Sequence, residues 1–168
     1  VLDVGPGVFV PRPETESLLE WACAQKFPPS PVIVDLCTGS GALAVALASA
    51  MPDARVIAVD DDATALAYAR RNTAGRRVDV IAGDVMDPDL LPDLDAKVDL
   101  VIANPPYIPD GAELEPEVAQ HDPTHALFGG PDGMAVIVPI VRRAARWLAP
   151  DGLIAVEGTP ELPQMRYY

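Results

Sequence analysis

The sequence predicts an α/β fold: a mostly parallel sheet with helices on both faces. Short runs rich in Val, Ile and Leu alternate with longer segments of helical periodicity, which is typical of βαβ units. The apolar runs are continuous rather than alternating, as strands buried on both faces require. Polar residues, mostly Asp, follow several of these runs, and ligands bind at that edge of such a sheet.

Each element follows from its local pattern. A first helix is predicted over 14–26, where apolar residues recur at helical spacing after Pro11 and Pro13. Strands are predicted at 32–36, 55–60, 78–84, 98–106 and 152–158. Further helices are predicted at 41–51, 63–74 and 134–148. Residues 108–133 form a long connection rich in Pro, Gly and Asp, which predicts a lid or a substrate-side wall, with a surface excursion as the alternative.

Composition and charge narrow the class of protein. A chain of 168 residues that is 49% apolar predicts one domain with a sizeable core. The net charge of −13 disfavours direct nucleic-acid binding, which depends on Lys and Arg meeting phosphates. No long apolar run or basic-then-apolar leader is present, so neither a membrane span nor a signal peptide is predicted.

The cysteines and histidines predict neither a disulfide framework nor a metal site. Two cysteines, Cys23 and Cys37, fit a reducing compartment, so a cytoplasmic location is expected. His121 and His125 are four residues apart, but Pro123 lies between them and no third ligand is evident.

A glycine-rich turn is predicted between the first strand and the following helix. Gly39 and Gly41 let the backbone turn tightly and approach a ligand, and the helix start beyond offers unpaired N–H groups. Because Ala44 follows, the turn also matches the loose dinucleotide fingerprint. The glycines alone therefore leave NAD and an adenosyl cofactor open.

Acidic residues stand in or after three successive strands. Asp60 ends the second strand, where it can accept hydrogen bonds from ribose hydroxyls. Asp84 ends the third and can accept from an adenine amino group. Asp35, inside the first strand, can brace the glycine turn by accepting backbone N–H bonds. Each acid alone could be a cap or turn residue, but the three together favour a nucleoside cofactor.

The fourth strand runs into the sequence "NPPY", Asn104 to Tyr107. Two consecutive prolines can neither donate to a sheet ladder nor continue a helix, so a stiff extended turn is predicted. Such a turn is suited to holding one polar side chain in fixed geometry.

Together with "DLCTGSG" at the first strand, "NPPY" resembles the class I S-adenosylmethionine-dependent methyltransferases that modify amino groups conjugated to a carbonyl or ring. The stretches "PGVFVPRPETE", "NPPYIP" and "ALFGGPDG" narrow the resemblance to the release factor glutamine N5-methyltransferase family (PrmC/HemK type), over nearly the whole chain. It implies a Rossmann-like sheet of the class I methyltransferase type. It also implies S-adenosylmethionine as cofactor, S-adenosylhomocysteine as product, and peptide chain release factors as substrates.

The resemblance also implies the site residues. Those expected to bind the cofactor, with Asp35, are Cys37, Thr38, Gly39, Ser40, Gly41, Asp60, Asp84, Val85 and Asn104. Those expected to be catalytic and to receive the substrate glutamine are Asn104, Pro105, Pro106 and Tyr107. From "PRPETE", Arg12 and Thr15 are expected to approach the same pocket, with helix capping as the alternative for Thr15.

The chemistry of an amide acceptor explains why "NPPY" suits it. Its nitrogen lone pair is delocalised, so a site must hold both N–H bonds and direct the lone pair at the methyl group. The Asn104 side-chain oxygen and the Pro105 carbonyl are suited to that task, and they bind more strongly as charge develops. The Tyr107 ring can lie over the amide and face a cationic centre, with packing as its alternative role.

The chain departs from the family pattern in several places. Cys37 stands where the family usually has glycine, and Val85 stands where many relatives have an aromatic residue. The family's N-terminal helical domain and two C-terminal strands are not found. The expected organisation is a linker and helix at 1–30 and an S-adenosylmethionine-binding catalytic domain at 31–168.

Three other functions stay open on the sequence. An adenine-N6 nucleic-acid methyltransferase shares "NPPY" but calls for a basic groove. An NAD oxidoreductase shares the glycine turn and Asp60 but gives "NPPY" no role. A fragment that binds the cofactor without methylating is the third.

Overall fold

A computed structural model describes residues 2–9, 13–114 and 123–158. Its five strands are β1 (Val32–Leu36), β2 (Arg55–Asp60), β3 (Val78–Ala82), β4 (Val98–Ala103) and β5 (Leu148–Val156). Its α-helices are α1 (Pro13–Ala24), α2 (Ala42–Ala50), α3 (Ala63–Asn72) and α4 (Ile137–Trp147). Short 3-10 turns lie at Pro92–Leu94 and Thr124–Ala126.

The strands form one sheet in the order β3-β2-β1-β4-β5, and every pairing is parallel. The chain runs outward from β1 to β3 and then returns to place β4 on the other side of β1. Strand order therefore reverses between β1 and β4, and a crevice opens at their carboxyl ends. The α/β fold class predicted from the sequence is confirmed.

The core has one apolar layer on each face of the sheet. One layer joins α4 to the sheet and contains Trp147 and Ile140, both fully buried. The other joins α1 and α2 to the sheet and contains Leu47 and Ile33. Because both faces are covered, the strands carry the continuous apolar runs seen in the sequence.

Some element ends differ from the sequence prediction. The strand predicted over 98–106 ends at Ala103, since neither Pro105 nor Pro106 has an N–H to continue the ladder. The strand predicted over 78–84 ends at Ala82. The N–H of the next residue, Gly83, still donates to the Asp60 carbonyl at 2.9 Å. The last strand begins at residue 148 rather than 152 and carries a register irregularity against β4.

Candidate active site

A pocket of about 290 Å³ opens at the carboxyl ends of the first four strands. This volume lies near the lower end of the range for small-molecule sites. Most of the residues predicted to form the site line it: Thr15, Asp35, Cys37, Thr38, Gly39, Ser40, Asp60, Asp84, Val85, Asn104 and Pro106.

The other predicted site residues lie elsewhere. Gly41 is buried behind the pocket, where a Cβ would come within 3.1 Å of the Ala69 Cα and φ is +79°; it lets α2 begin close against α3. Pro105, next to Asn104, is buried and does not line this pocket, and the half-buried Tyr107 packs against the apolar cluster at the start of α4. Arg12 lies outside the described residues.

Asp60 holds the glycine turn against the end of β2. Its Oδ2 accepts the Gly39 N–H at 2.8 Å, and its Oδ1 accepts the Asp62 N–H at 3.0 Å. Burial raises the pKa of Asp60, and these two N–H bonds oppose the rise. A carboxylate has about four lone-pair positions, so the side chain keeps acceptor capacity for a ligand.

Asp35 forms part of the pocket wall and is almost fully buried. Its Oδ2 accepts the Thr38 hydroxyl at 2.6 Å. Burial raises the pKa of Asp35 to about 7, and the negative charge of Asp60 adds to the rise; the Thr38 hydroxyl and the Ala44 N–H act against it. Its carboxyl group is therefore only partly ionised near neutral pH, and a cation bound nearby would favour the ionised form.

Cys37 occupies a backbone conformation that favours glycine. Its φ is +57°, where a Cβ costs about 1–2 kcal/mol. Burial, followed by the charge of Asp60, raises the pKa of the thiol well above its ordinary value. The thiol is therefore protonated and acts as a small apolar side chain.

The charge of the pocket wall is strongly negative. Five carboxyl groups line it: Asp35, Asp60, Asp61, Asp62 and Asp84. Among the described lining residues there is one imidazole, His125, and no Lys or Arg. Such a wall attracts cations and hydrogen-bond donors and repels phosphates. The Gly39 N–H, which in a dinucleotide site would face a phosphate, is held by Asp60, so the NAD interpretation loses its main support.

A polar cluster surrounds Asn104. Its Nδ2 donates to the Thr15 Oγ1 at 3.1 Å, and that hydroxyl donates to the Glu157 Oε2 at 3.4 Å. The Tyr107 hydroxyl donates to the other carboxylate oxygen of Glu157 at 3.4 Å. Thr15 thus joins α1 to the end of the sheet. The Asn104 Oδ1 accepts no hydrogen bond from the part of the chain that the structure describes.

The described end of the long connection packs on the residues after β4. The Ile108 N–H donates to the Leu127 carbonyl at 2.9 Å, and the Gly129 N–H donates to the Ile108 carbonyl at 2.8 Å. A Cβ on Gly129 would lie 2.5 Å from the Pro106 carbonyl oxygen, so only glycine fits. The His125 Nε2 lies 3.6 Å from an oxygen of Asp62 at the start of α3. This end of the connection forms a wall of the pocket.

Several residues of the pocket region had little or no signal in the sequence. The N-terminal segment places Val8 and Phe9 on the wall; the only signal was their position in "PGVFVPRPETE". Met86 lies at the rim and is 58% exposed, whereas Val85, the predicted contact, is 8% exposed and belongs to the core. Glu157 gave no local signal, because its contact with Thr15 spans 142 positions.

Neither a metal site nor a membrane-spanning helix is found within residues 2–9, 13–114 and 123–158. No group of three or more His, Cys, Asp or Glu side chains in these ranges is arranged to hold a metal ion. No helix within them has the length and apolar character needed to cross a membrane.

Comparison with known proteins identifies the family. The methyltransferase small domain model matches residues 14–128. The release factor glutamine methyltransferase of Mycolicibacterium smegmatis is 71% identical over 156 residues, covering 93% of this chain and 56% of the relative. That of Mycobacterium tuberculosis strain H37Rv is 65% identical over 161 residues, covering 94% and 53%. A 4-amino-L-phenylalanine/4-methylamino-L-phenylalanine methyltransferase of Streptomyces pristinaespiralis is 43% identical, covering 92% and 55%.

A solved structure shows the same fold. The ribosomal protein L11 methylase of Lactobacillus delbrueckii subsp. bulgaricus matches with a TM-score of 0.60 at 21% identity, covering 92% of this chain and 64% of that chain.

The parallel sheet and the pocket at its switch point are those of a class I methyltransferase. The chain belongs to the methyltransferase small domain family, and its predicted resemblance to the release factor glutamine methyltransferases is confirmed. The chain spans about half the length of the curated relatives it matches.

Proposed function

We propose that this protein binds S-adenosylmethionine and methylates the side-chain amide nitrogen of a glutamine in a peptide chain release factor. The observation that carries the proposal is the state of Asn104. Its NH₂ group is engaged by Thr15, and its carbonyl oxygen accepts no hydrogen bond from a described residue. Asn104 lies on the wall of a pocket rich in carboxylates. The side chain is therefore suited to accept an N–H from an amide nitrogen.

The pocket fits S-adenosylmethionine by charge. When bound, this cofactor supplies an electrophilic methyl group on a cationic sulfonium centre. The acidic wall favours a sulfonium and an ammonium group over a phosphate. We assign Asp60 to the ribose hydroxyls and Asp84 to the adenine amino group. Asp35 and the turn at 37–40 complete this part of the pocket wall.

The acceptor nitrogen is handled by the residues after β4. We assign the Asn104 Oδ1 and the Pro105 carbonyl to its two N–H bonds. Proline fixes the direction of that carbonyl, and the Gly129 backbone packs against the Pro106 carbonyl and holds the turn from behind. As the N–CH3 bond forms and the S–CH3 bond breaks, the nitrogen becomes positive and both acceptors bind its N–H bonds more strongly, so the stabilisation is specific to the transition state. S-adenosylhomocysteine would be the leaving group, and the methylated nitrogen then loses one proton to solvent. The remaining rate gain comes from alignment.

Two features support a glutamine of a release factor as the acceptor. Relatives named release factor glutamine methyltransferase range from 40 to 71% identity to this chain, and the mycobacterial ones, at 62–71%, exceed the 43% of the 4-amino-L-phenylalanine enzyme. Both kinds of acceptor carry a nitrogen conjugated to a π system, so an aryl amine is the second candidate. An adenine in nucleic acid is disfavoured by the net charge of −13 and by the acidic pocket. A release factor substrate would place the reaction in the cytoplasm.

The test is methyl transfer from labelled S-adenosylmethionine to a purified bacterial release factor. The release factor with its acceptor glutamine changed to alanine and free 4-amino-L-phenylalanine are run beside it. Each enzyme variant is also tested for cofactor binding by calorimetry. The variants are Asn104→Ala and, as a matched control, Glu20→Gln on the exposed face of α1.

Label on the intact release factor only, lost with Asn104→Ala and retained with Glu20→Gln, would support the proposal. Label on the amino acid but not on the release factor would replace it with the second candidate. Cofactor binding without label on either would mean a different acceptor or a binding-only chain. Absence of cofactor binding would refute the proposal.

A further inference from the structure

Glu157 lies directly after β5, beside the turn that follows β4 at residues 104–107. Its N–H donates to the Ala103 carbonyl at 2.9 Å, which fixes its backbone next to Asn104. Its two carboxylate oxygens lie 3.4 Å from the hydroxyls of Thr15 and Tyr107. Glu157 is not among the residues that line the pocket.

The hydrogen-bonding chemistry of this cluster determines the orientation of the Asn104 amide. An ionised carboxylate can only accept hydrogen bonds, and a hydroxyl has a single hydrogen to donate. The Thr15 hydrogen is directed to Glu157, so the Thr15 oxygen must act as an acceptor toward Asn104. Only the NH₂ end of the amide can donate to it. The carbonyl end of Asn104 is then left for a ligand.

We propose that Glu157 is a positioning residue that sets the orientation of the Asn104 amide through the Thr15 hydroxyl. The second hydroxyl, from Tyr107, holds the carboxylate from its other side. At 3.4 Å both contacts are longer than the ordinary O–H···O range of about 2.5–3.0 Å, so the orienting effect comes from the acceptor-only character of the carboxylate. The consequence for catalysis depends on the proposed function.

A reversed amide would be incompatible with an amide substrate. The Asn104 NH₂ would then face the acceptor NH₂, and two donors would meet without an acceptor between them. A buried donor without a partner costs more than a single ordinary hydrogen bond contributes. The structure joins α1, β4 and β5 through Thr15, Asn104 and Glu157, so the docking of three elements controls one amide orientation.

Glutamine at position 157 would remove this control while keeping the size of the side chain. Its NH₂ could donate to the Thr15 oxygen, and the Thr15 hydroxyl could then donate to the Asn104 carbonyl oxygen. Aspartate would keep an acceptor-only group but shorten the side chain by one methylene. A steric role for Glu157 predicts that Glu157→Gln is the milder change, whereas the positioning role predicts that Glu157→Asp is.

The orientation of the Asn104 amide can be measured without cofactor or substrate. The chain contains two asparagines, Asn72 and Asn104, so ¹⁵N-asparagine labelling gives two side-chain NH₂ signals. The Asn72 amide donates to the carbonyls of Asp3 and Ser40 and serves as an internal reference for folding. The variants are Glu157→Gln, Glu157→Asp, Thr15→Val, the double variant Thr15→Val/Glu157→Gln, and the control Glu20→Gln.

In Glu157→Gln and Thr15→Val we expect the Asn104 NH₂ signal to shift. Its exchange with water should accelerate about five- to tenfold, as expected for the loss of one hydrogen bond. The double variant should match Thr15→Val alone, because Glu157 acts through Thr15. The Asn72 signal should stay in place throughout. An unchanged Asn104 signal in Glu157→Gln, or larger effects in the double variant than in Thr15→Val, would overturn the proposal.

Turnover on a release factor supplies the second readout. Glu157→Gln should lower kcat roughly tenfold to a hundredfold with cofactor affinity unchanged, and Glu157→Asp should lower it less. The reverse order of the two variants would establish a steric role and overturn the proposal. If the wild-type chain transfers no methyl group while the Asn104 signals respond as expected, the proposed function fails and the positioning role stands.

Discussion

Replacing Asp35 with asparagine will remove a pH-dependent loss of stability, so the free energy of unfolding of the variant will rise relative to that of the wild type as the pH rises. Asp35 is 1% exposed, and its pKa is raised to about 7, mainly by burial. Asparagine has the same shape and keeps an oxygen that can accept the Thr38 hydroxyl. It carries no charge at any pH, so the cost of burying a carboxylate is removed.

The size of this pH-dependent change in stability follows from the change in the pKa of Asp35 on folding. The folded state raises the pKa of Asp35 from 3.8 to about 7, so it binds the proton more tightly than the unfolded chain. The free energy of unfolding therefore falls as the pH rises from about 4 to about 7, and is constant above. The full loss is about 4 kcal/mol at roughly 1.4 kcal/mol per pH unit. About 2–3 kcal/mol of it falls between about pH 5 and about pH 8.5.

Urea unfolding of both proteins at about pH 5 and about pH 8.5 measures this effect. The difference in free energy of unfolding between Asp35→Asn and the wild type should grow by about 2–3 kcal/mol at the higher pH. The matched control is Glu20→Gln at an exposed acid on α1, which should not reproduce this growth. A difference for Asp35→Asn that does not change with pH would refute the reasoning.

Two further predictions concern the turn after β4 and the cysteines. Gly129→Ala should lower the free energy of unfolding by about 1–3 kcal/mol and impair methyl transfer. The reason is that its Cβ would lie 2.5 Å from the Pro106 carbonyl oxygen and 2.7 Å from the Gly133 carbonyl oxygen. A variant that unfolds in urea with wild-type stability would contradict this prediction. Iodoacetamide at about pH 8 should label the exposed Cys23 and spare Cys37, because burial raises the pKa of the Cys37 thiol. Equal labelling of the two cysteines, measured by peptide mass spectrometry, would contradict this prediction.

The sequence alone determined the class of fold and the position of the pocket. Apolar runs and helical periodicity report which faces of an element are buried, and that property is local. The prolines at 105 and 106 stop β4 because they lack an N–H group. Polar residues after parallel strands must meet at one edge of the sheet, so Asp60, Asp84 and Asn104 were grouped correctly before the sheet order was known.

The tertiary structure decided which group bonds to which. Asp60, rather than Asp35, accepts the Gly39 N–H, because the choice depends on the register of β2 against β1. Gly129 closes on the turn after β4 only because the long connection returns there. Thr15 and Glu157 are 142 positions apart, and no local pattern connects them. The burial of side chains along a helix or strand follows a regular period, and the apolar residues of the sequence show it. A hydrogen bond between distant residues exists only when the packing of helices and strands brings its donor and acceptor together.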